Sequence, residues 1–220
     1  MKDIRPRCST IAHYFGKLIF LISGWQVEGD APMHRSMLII AAPHTSNWDA
    51  VFLLGAAYSL RLRINWLVKN SLFVPVVRNL IRFFGAIPVE RSRNTNMVQR
   101  LAEQILGSTG TALVVPPSGT RARTDYWKSG FYRIAMAADI PIVCGYLDYD
   151  KKVAGLGLSF FLTGDMTADM DRIRDFYASV AAKYPANKSR IRLREEDEKD
   201  GESGNNEKTL LETQGAQKRG

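Results

Sequence analysis

Short apolar runs alternate with amphipathic segments through the middle of the chain. The runs are rich in Ile, Val and Leu and lack a polar face, as is typical of strands buried on both sides of a sheet. Alternating strand-like and helix-like segments predict one α/β domain, with a largely parallel central sheet flanked by helices. The predicted strands are residues 37–42, 64–68, 86–89, 111–115, 140–146 and 158–162.

Three of the intervening segments show helical spacing of their apolar residues. They cover residues 47–60, 97–106 and 169–184, and the second ends at Gly107, a residue that favours helix ends. The pattern predicts that the first of these helices buries Val51, Leu54 and Tyr58. In the last helix, the residues at helical spacing are Ile173, Phe176, Tyr177, Val180 and Tyr184.

The two ends of the chain differ from this central domain, which we place at residues 31–186. Residues 1–30 are basic and then apolar, but the uninterrupted apolar stretch, residues 18–22, is too short to span a bilayer. A poor cleavage site follows it, which disfavours a signal peptide. We predict an amphipathic helix that lies in the membrane interface with Lys17 at headgroup level, or else packs on the domain. Residues 187–220 have few apolar residues and dense mixed charges, which predicts a disordered tail.

The composition of the chain bears on which classes of partner it could bind. The 220 residues suffice for one domain with a sizeable core, and the net charge of +8 suits nucleic acid, anionic lipid headgroups or phosphorylated substrates alike. A nucleic-acid partner is not predicted, since no zinc-finger, RNP-like or helix-turn-helix pattern occurs. Two distant cysteines and three scattered histidines predict neither a disulfide nor a metal site.

Candidate chemistry begins where the first predicted strand gives way to a helix. His44 would lie at the strand end and Asp49 in the first turn of the helix, where the carboxylate could orient and polarise the imidazole for general-base catalysis. Alone, this spacing arises easily by chance. His44 could equally be a core histidine, and Asp49 a carboxylate that stabilises the helix dipole.

Three later sequence blocks support a catalytic role for His44 and Asp49. They are residues 85–91, with Gly85 and Arg91, residues 115–121, and Pro141 between aliphatic residues. In order and spacing, the four blocks resemble those of the glycerolipid acyltransferase family, which includes 1-acylglycerol-3-phosphate acyltransferase. The resemblance covers residues 37–184. The matching residues are His44, Asp49, Gly85, Arg91, Pro117, Gly119, Thr120, Arg121 and Pro141.

The resemblance implies an O-acyltransferase in which His44 is the general base and Asp49 orients it. The donor would be acyl-CoA or acyl carrier protein, used as a substrate, with no cofactor and no metal. The acceptor would be a lysophospholipid, with 1-acylglycerol-3-phosphate giving phosphatidic acid at the cytoplasmic face of the cell membrane, through peripheral or monotopic attachment. The residues that would bind substrate are Lys69, Gly85, Arg91, Ser118, Gly119, Thr120 and Arg121.

One position departs from the family pattern. Ser118 stands where the family has a glutamate that is tied to acceptor binding, so a charge is lost while hydrogen-bonding capacity remains. The departure leaves open an acceptor other than glycerol phosphate, or a noncatalytic lipid-binding role. No Gly-x-Ser-x-Gly turn surrounds Ser118, so direct transfer is preferred over an acyl-serine intermediate.

Ligands of parallel α/β sheets bind beyond the carboxyl ends of the strands. The first three blocks follow or end predicted strands, so we expect His44, Arg91 and Arg121 to converge on one cleft.

Overall fold

A single seven-stranded sheet forms the centre of the molecule. The structure is a computed structural model that describes residues 4–69, 78, 79, 82, 84–89 and 96–198, apart from the side chains of Lys69 and Val89. The strands are β1 Gln26–Glu28, β2 Met37–Ala41, β3 Ile64–Lys69, β4 Ala86–Val89, β5 Ala112–Val115, β6 Ile142–Asp148 and β7 Val153–Phe160.

The strand order is β1-β7-β6-β2-β5-β3-β4, and all neighbours run parallel except the antiparallel pair β6 and β7. β2 lies in the middle, between β5 and β6, and its first four residues are buried. Leu38 and Ile40 pack into the core on one face of the sheet, while Met37 and Ile39 pack into the core on the other. The predicted α/β class and largely parallel sheet are thus confirmed.

Helices cover both faces of the sheet. Their bounds are α1 Thr10–Ser23, α2 Trp48–Ser59, α3 Met97–Leu106, α4 Gly130–Ala138 and α5 Met166–Tyr177. Residues of α3, α4 and α5 contribute to the core that contains Leu38 and Ile40, and α2 contributes to the core that contains Met37 and Ile39.

The amino-terminal segment is part of this domain. α1 lies against α2 so closely that a Cβ on Gly16 would stand 2.6 Å from the carbonyl oxygen of Gly55. Phe20 of α1 and Trp25, directly after it, are buried in a core with Ala56 of α2. The predicted helix therefore exists and packs on the domain, and the boundary at residue 30 does not separate two bodies.

Strand and helix boundaries shift from prediction mainly where the apolar pattern is weak. β4 and α3 have the predicted bounds. β7 begins at Val153, five residues before the predicted start, because Gly155 and Gly157 interrupt the apolar run without interrupting the strand. Val51 was expected to be buried in α2 but is 40% exposed.

The last helix ends earlier than predicted. It runs from Met166 to Tyr177 rather than over 169–184, with the Asp165 side chain accepting from the backbone N–H groups of Thr167 and Ala168 at its start. Beyond its end, the Lys188 ammonium donates to the carbonyls of Tyr177 (3.3 Å) and Val180 (3.0 Å). A lysine that satisfies carbonyls at a helix end helps to terminate the helix there.

The predicted disordered tail begins too early. Residues 187–198 pack on the domain. Leu193 is fully buried and forms an isolated β-bridge with Trp127, and the backbone N–H of Trp127 donates to the Arg192 carbonyl. The buried Glu196 carboxylate pairs with Arg174 at 2.8 Å. One apolar side chain and one paired charge thus anchor a segment that looks solvated by composition. The remaining predicted tail, residues 199–220, lies outside the described residues.

This anchoring predicts a stability effect. Leu193→Ala should lower the free energy of unfolding by about 2–5 kcal/mol, because it removes a fully buried leucine from the main core. Urea denaturation measures the change. Leu106→Ala is the matched control, since Leu106 is 64% exposed and its truncation should change stability by about 0.5 kcal/mol or less. Equal small losses in both variants would contradict the packed position of residues 187–198.

Candidate active site

His44 lies just beyond the carboxyl end of β2, the central strand of the sheet. Its side chain is 25% exposed and lies 3.2 Å from Asp49, measured from Nδ1 to Oδ2. Asp49 is in the first turn of α2, as predicted, and its side chain is only 7% exposed. The structure therefore brings the predicted pair into contact at the transition from strand to helix.

The Asp49 carboxylate is the most heavily hydrogen-bonded group of the site. Its Oδ2 accepts from the backbone N–H groups of Thr45 (2.8 Å) and Ser46 (2.9 Å) as well as from His44. Its Oδ1 accepts from the hydroxyl of Tyr149 at 2.6 Å. The carboxylate thus ties the turn after β2 to the start of α2.

These donors keep Asp49 ionised. Burial alone would raise its pKa, but the hydrogen bonds from His44, Tyr149 and the two backbone N–H groups together hold the pKa below its usual value. An ionised carboxylate can only accept, so Nδ1 of His44 carries the proton and donates. In a neutral ring that donates from Nδ1, the remaining lone pair is on Nε2.

A second loop lies beside His44. β5 pairs with β2 in parallel register, with Val115 opposite Ile40, so residues 116–121 leave the sheet next to the turn that carries His44. His44, Pro117 and Ser118 line one cleft, together with Trp127, Lys188 and Ser189. The first and third blocks thus meet at this cleft through His44, Pro117 and Ser118, whereas the predicted convergence of Arg91 and Arg121 on it stays a prediction.

The loop after β5 presents its residues in different ways. Ser118 is buried, and its hydroxyl donates to the Thr120 carbonyl at 2.8 Å. Gly119 has a φ of +66°, and a Cβ there would approach the Lys128 side chain to about 3.0 Å. Thr120 and Arg121 are exposed, and Arg121 makes no ion pair with a carboxylate of the described residues. The guanidinium of Arg121 is accordingly available to an anionic ligand.

Gly85 is not in this cleft, contrary to its assignment as a substrate-binding residue. It precedes β4 and so lies at the amino end of that strand, whereas His44 follows the carboxyl end of β2. Its backbone explains the glycine, because φ is +84° and a Cβ would stand 2.1 Å from the Ile64 carbonyl oxygen. Arg91 and the Lys69 side chain lie outside the described residues, so their predicted roles stay predictions.

Sequence reasoning missed several residues of the site. Tyr149 contacts Asp49 from 100 residues further along the chain, and Lys188 and Ser189 come from the segment assigned to the tail. Trp127 is buried and also lines the cleft. No local spacing signal links these residues to His44. Within the described part of the chain, no three His, Cys, Asp or Glu side chains are grouped as metal ligands would be.

Comparison with known proteins identifies the family of this chain. The model of the acyltransferase family matches residues 25–147, more than half of the chain, so the protein belongs to the acyltransferase family. The family predicted from the four sequence blocks is thereby confirmed.

Two relatives are more specific. The 1-acyl-sn-glycerol-3-phosphate acyltransferase of Streptococcus pneumoniae (strain ATCC BAA-255 / R6) is 27% identical over 139 residues. That match covers 59% of this chain and 51% of the relative, so this chain spans about half of the relative's length. The crystal structure of the 1-acyl-sn-glycerophosphate (LPA) acyltransferase PlsC from Thermotoga maritima is similar in fold. It has a TM-score of 0.53, 17% identity, and coverage of 79% of this chain and 80% of that chain.

The backbone of Gly85 supports a prediction about the second block. Gly85→Ala should lower the free energy of unfolding by more than the roughly 1–2 kcal/mol of a left-handed backbone, because the added methyl also meets the Ile64 carbonyl. Gly130→Ala is the control, since Gly130 begins α4 and no neighbouring atom lies within 4 Å of the position that an added methyl would take. Urea denaturation compares the two. If both variants were as stable as the wild type, the steric role of Gly85 would be wrong.

Proposed function

We propose that this protein transfers a fatty acyl group from acyl-CoA or acyl carrier protein to the hydroxyl of a lysophospholipid. The preferred acceptor is 1-acylglycerol-3-phosphate, and the product is phosphatidic acid. The observation that carries the proposal is the contact of His44 with the ionised Asp49, beside the loop of Ser118 and Arg121. The kinship with 1-acylglycerol-3-phosphate acyltransferases adds the substrate class.

In this mechanism, Nε2 of His44 takes the proton of the acceptor hydroxyl as the oxygen attacks the thioester carbonyl. A C–O bond forms, the C–S bond breaks, and the leaving thiolate takes the proton back from His44. Asp49 stabilises the imidazolium that exists between these two proton transfers. General-base catalysis of this kind contributes a factor of about 10² to 10⁴ to the rate.

The acceptor's phosphate needs cations near the hydroxyl that reacts. Arg121 is exposed on the loop beside His44, and Lys128 lies against Gly119 of the same loop. A guanidinium can bind a phosphate with two hydrogen bonds, which would hold the acceptor in register with the donor. Arg91 and Lys69 are further phosphate-binding residues in this proposal, on the family pattern alone.

Ser118 favours a second candidate function, transfer to a lipid alcohol without a glycerol phosphate group. Its hydroxyl is engaged by the Thr120 carbonyl, so the loop offers a buried neutral group where the family pattern has a carboxylate. A carboxylate there could form an ion pair with an arginine, which the neutral Ser118 hydroxyl cannot do. A noncatalytic lipid-binding protein is the further alternative, and the ionised Asp49 beside His44 argues against it.

We place the reaction at the cytoplasmic membrane surface, with α1 as the peripheral contact. None of the described helices is long and apolar enough to cross a bilayer. α1 buries His13, Gly16 and Phe20 on one side. Its other side exposes six large apolar residues whose spacing puts them in one stripe. These residues are Ile11, Tyr14, Phe15, Leu18, Leu21 and Ile22.

The opposite, buried side of α1 packs on α2, the helix that begins at the active-site turn, with the Phe20 and Phe52 rings edge-on at 6.3 Å. Trp48, immediately before Asp49, is 56% exposed, and Val51 follows it one turn later with 40% exposure. Tryptophan favours the interface between headgroups and acyl chains. An acceptor whose acyl chain remains in the membrane could then reach His44 with its headgroup.

The first test of the function is acyl transfer in vitro. The full chain should transfer labelled acyl groups from acyl-CoA or acyl carrier protein to a panel of lysophospholipids and other lipid alcohols. His44→Ala should lower the rate about 10² to 10⁴-fold, because the general base is lost. His34→Ala is the control, since His34 precedes the amino end of β2 and should leave the rate unchanged.

Each outcome of that assay separates the candidates. Transfer to 1-acylglycerol-3-phosphate that depends on His44 supports the proposal, and His44-dependent transfer only to acceptors without phosphate supports the second candidate. Lipid binding without transfer from either donor would instead support the noncatalytic alternative.

Membrane contact is tested by vesicle sedimentation. Leu21→Glu and Ile22→Glu, at positions 79% and 78% exposed, should fold normally and weaken binding to anionic phospholipid vesicles at least about tenfold. The reason is that a charge placed in the apolar stripe resists burial in the acyl region. Leu106→Glu, on α3 and 64% exposed, should bind like the wild type. Unchanged binding of both α1 variants would contradict the proposed contact.

A further inference from the structure

We propose that Tyr149 is a positioning residue for the reaction, acting through Asp49 on His44. The inference rests on the proposed function, because it assigns a residue to the same dyad. Tyr149 follows β6 directly and belongs to none of the four blocks that indicate the family. Its role is argued from the contacts of its hydroxyl, its ring and its backbone.

The two oxygens of Asp49 are bound unequally. Oδ2 accepts from three N–H groups, which belong to Thr45, Ser46 and His44. Oδ1 accepts from the Tyr149 hydroxyl at 2.6 Å, a short bond of the kind expected between a hydroxyl and an ionised carboxylate. With a donor at each oxygen, the carboxylate cannot rotate about its bond to Cβ without losing contacts. The Tyr149 hydroxyl therefore fixes the plane in which Oδ2 meets His44.

Tyr149 is itself held in place on several sides. Its ring lies edge-on to Trp25, with centroids 4.8 Å apart, and edge-on to Phe52 at 6.2 Å. Trp25 and Phe52 are stacked on each other at 4.2 Å. The Tyr149 backbone N–H donates to the Ala181 carbonyl at 3.1 Å. A side chain packed in this way presents its hydroxyl at one position, as an orienting group must.

The Tyr149 hydroxyl stays a donor in the pH range of the reaction. Burial, followed by the hydrogen bond to Asp49, raises the pKa of Tyr149 well above its ordinary value. Two further groups act near this ring: Lys183, whose Nζ lies 5.8 Å from the ring centre, and Tyr184, which also raises the pKa of Tyr149. Neither of them donates a hydrogen bond to Asp49. Removal of the Tyr149 hydroxyl therefore affects the Asp49 carboxylate directly and His44 through that carboxylate.

Tyr149→Phe tests the role with little change in shape. We expect kcat to fall about tenfold, as part of the general-base contribution, with KM for both substrates changed less than about twofold. Tyr146→Phe, which removes a hydroxyl of β6 that is bonded to Glu28 of β1, should change neither kcat nor KM.

A stability measurement makes the test independent of turnover. The lowered pKa of Asp49 contributes stability that is present above the unfolded pKa and is lost as pH falls through the folded pKa. In Tyr149→Phe the pKa of Asp49 is lowered less than in the wild type, because one of its hydrogen-bond donors is missing. The difference in free energy of unfolding between wild type and variant should therefore be larger at pH 7 than at pH 3. In an Asp49→Asn background the difference should no longer depend on pH, and Tyr149→Phe should cause no further loss of kcat.

The outcomes separate the inference from the proposed function. A Tyr149→Phe enzyme with wild-type kcat overturns the positioning role, even if the stability difference is present. A stability difference that does not depend on pH overturns it as well. Absence of acyl transfer in the wild type, or its survival in His44→Ala, counts against the proposed function, while the stability comparison still decides whether Tyr149 holds Asp49 ionised.

Discussion

The site depends on one buried carboxylate and the donors that surround it. Removing Asp49 from water is costly, and it is tolerated because four donors bind its two oxygens. Three of those donors belong to the turn after β2, one of them His44, and the fourth is the hydroxyl of Tyr149. One charged group thus joins the centre of the sheet, the start of a helix and the His44 imidazole. The His44 geometry follows from this arrangement.

The sheet makes the arrangement possible. β2 is the middle strand, packed on both faces, so the turn that leaves it begins from a fixed point. The neighbouring β5 brings the loop of Ser118 and Arg121 to the same edge, as parallel pairing requires. α1 packs against α2, the helix that starts at this turn, and Trp48 at the start of α2 is exposed.

Much of this could be predicted from the sequence, where the signals are local. The apolar runs identified β4 and α3 with their observed bounds, and the His44 to Asp49 spacing placed two residues that do meet. β1 was not predicted, because its three residues, Gln26–Glu28, have no apolar run and join the sheet by pairing with β7. The Tyr149 contact with Asp49 has no local signal, since 100 residues separate the two. Residues 187–198 resembled a solvated tail because charged residues dominate the segment and only a few residues, among them Leu193 and the paired Glu196, anchor it.

The central claim is that Asp49 holds the proton of His44 on Nδ1 and leaves Nε2 free to act as a base. The most direct measurement is the nitrogen NMR spectrum of the His44 ring in the free protein, with its pH dependence. The account predicts a neutral ring protonated at Nδ1, and loss of that preference in Asp49→Asn. A ring protonated at Nε2 in the wild type, or one unaffected by Asp49→Asn, would contradict the account.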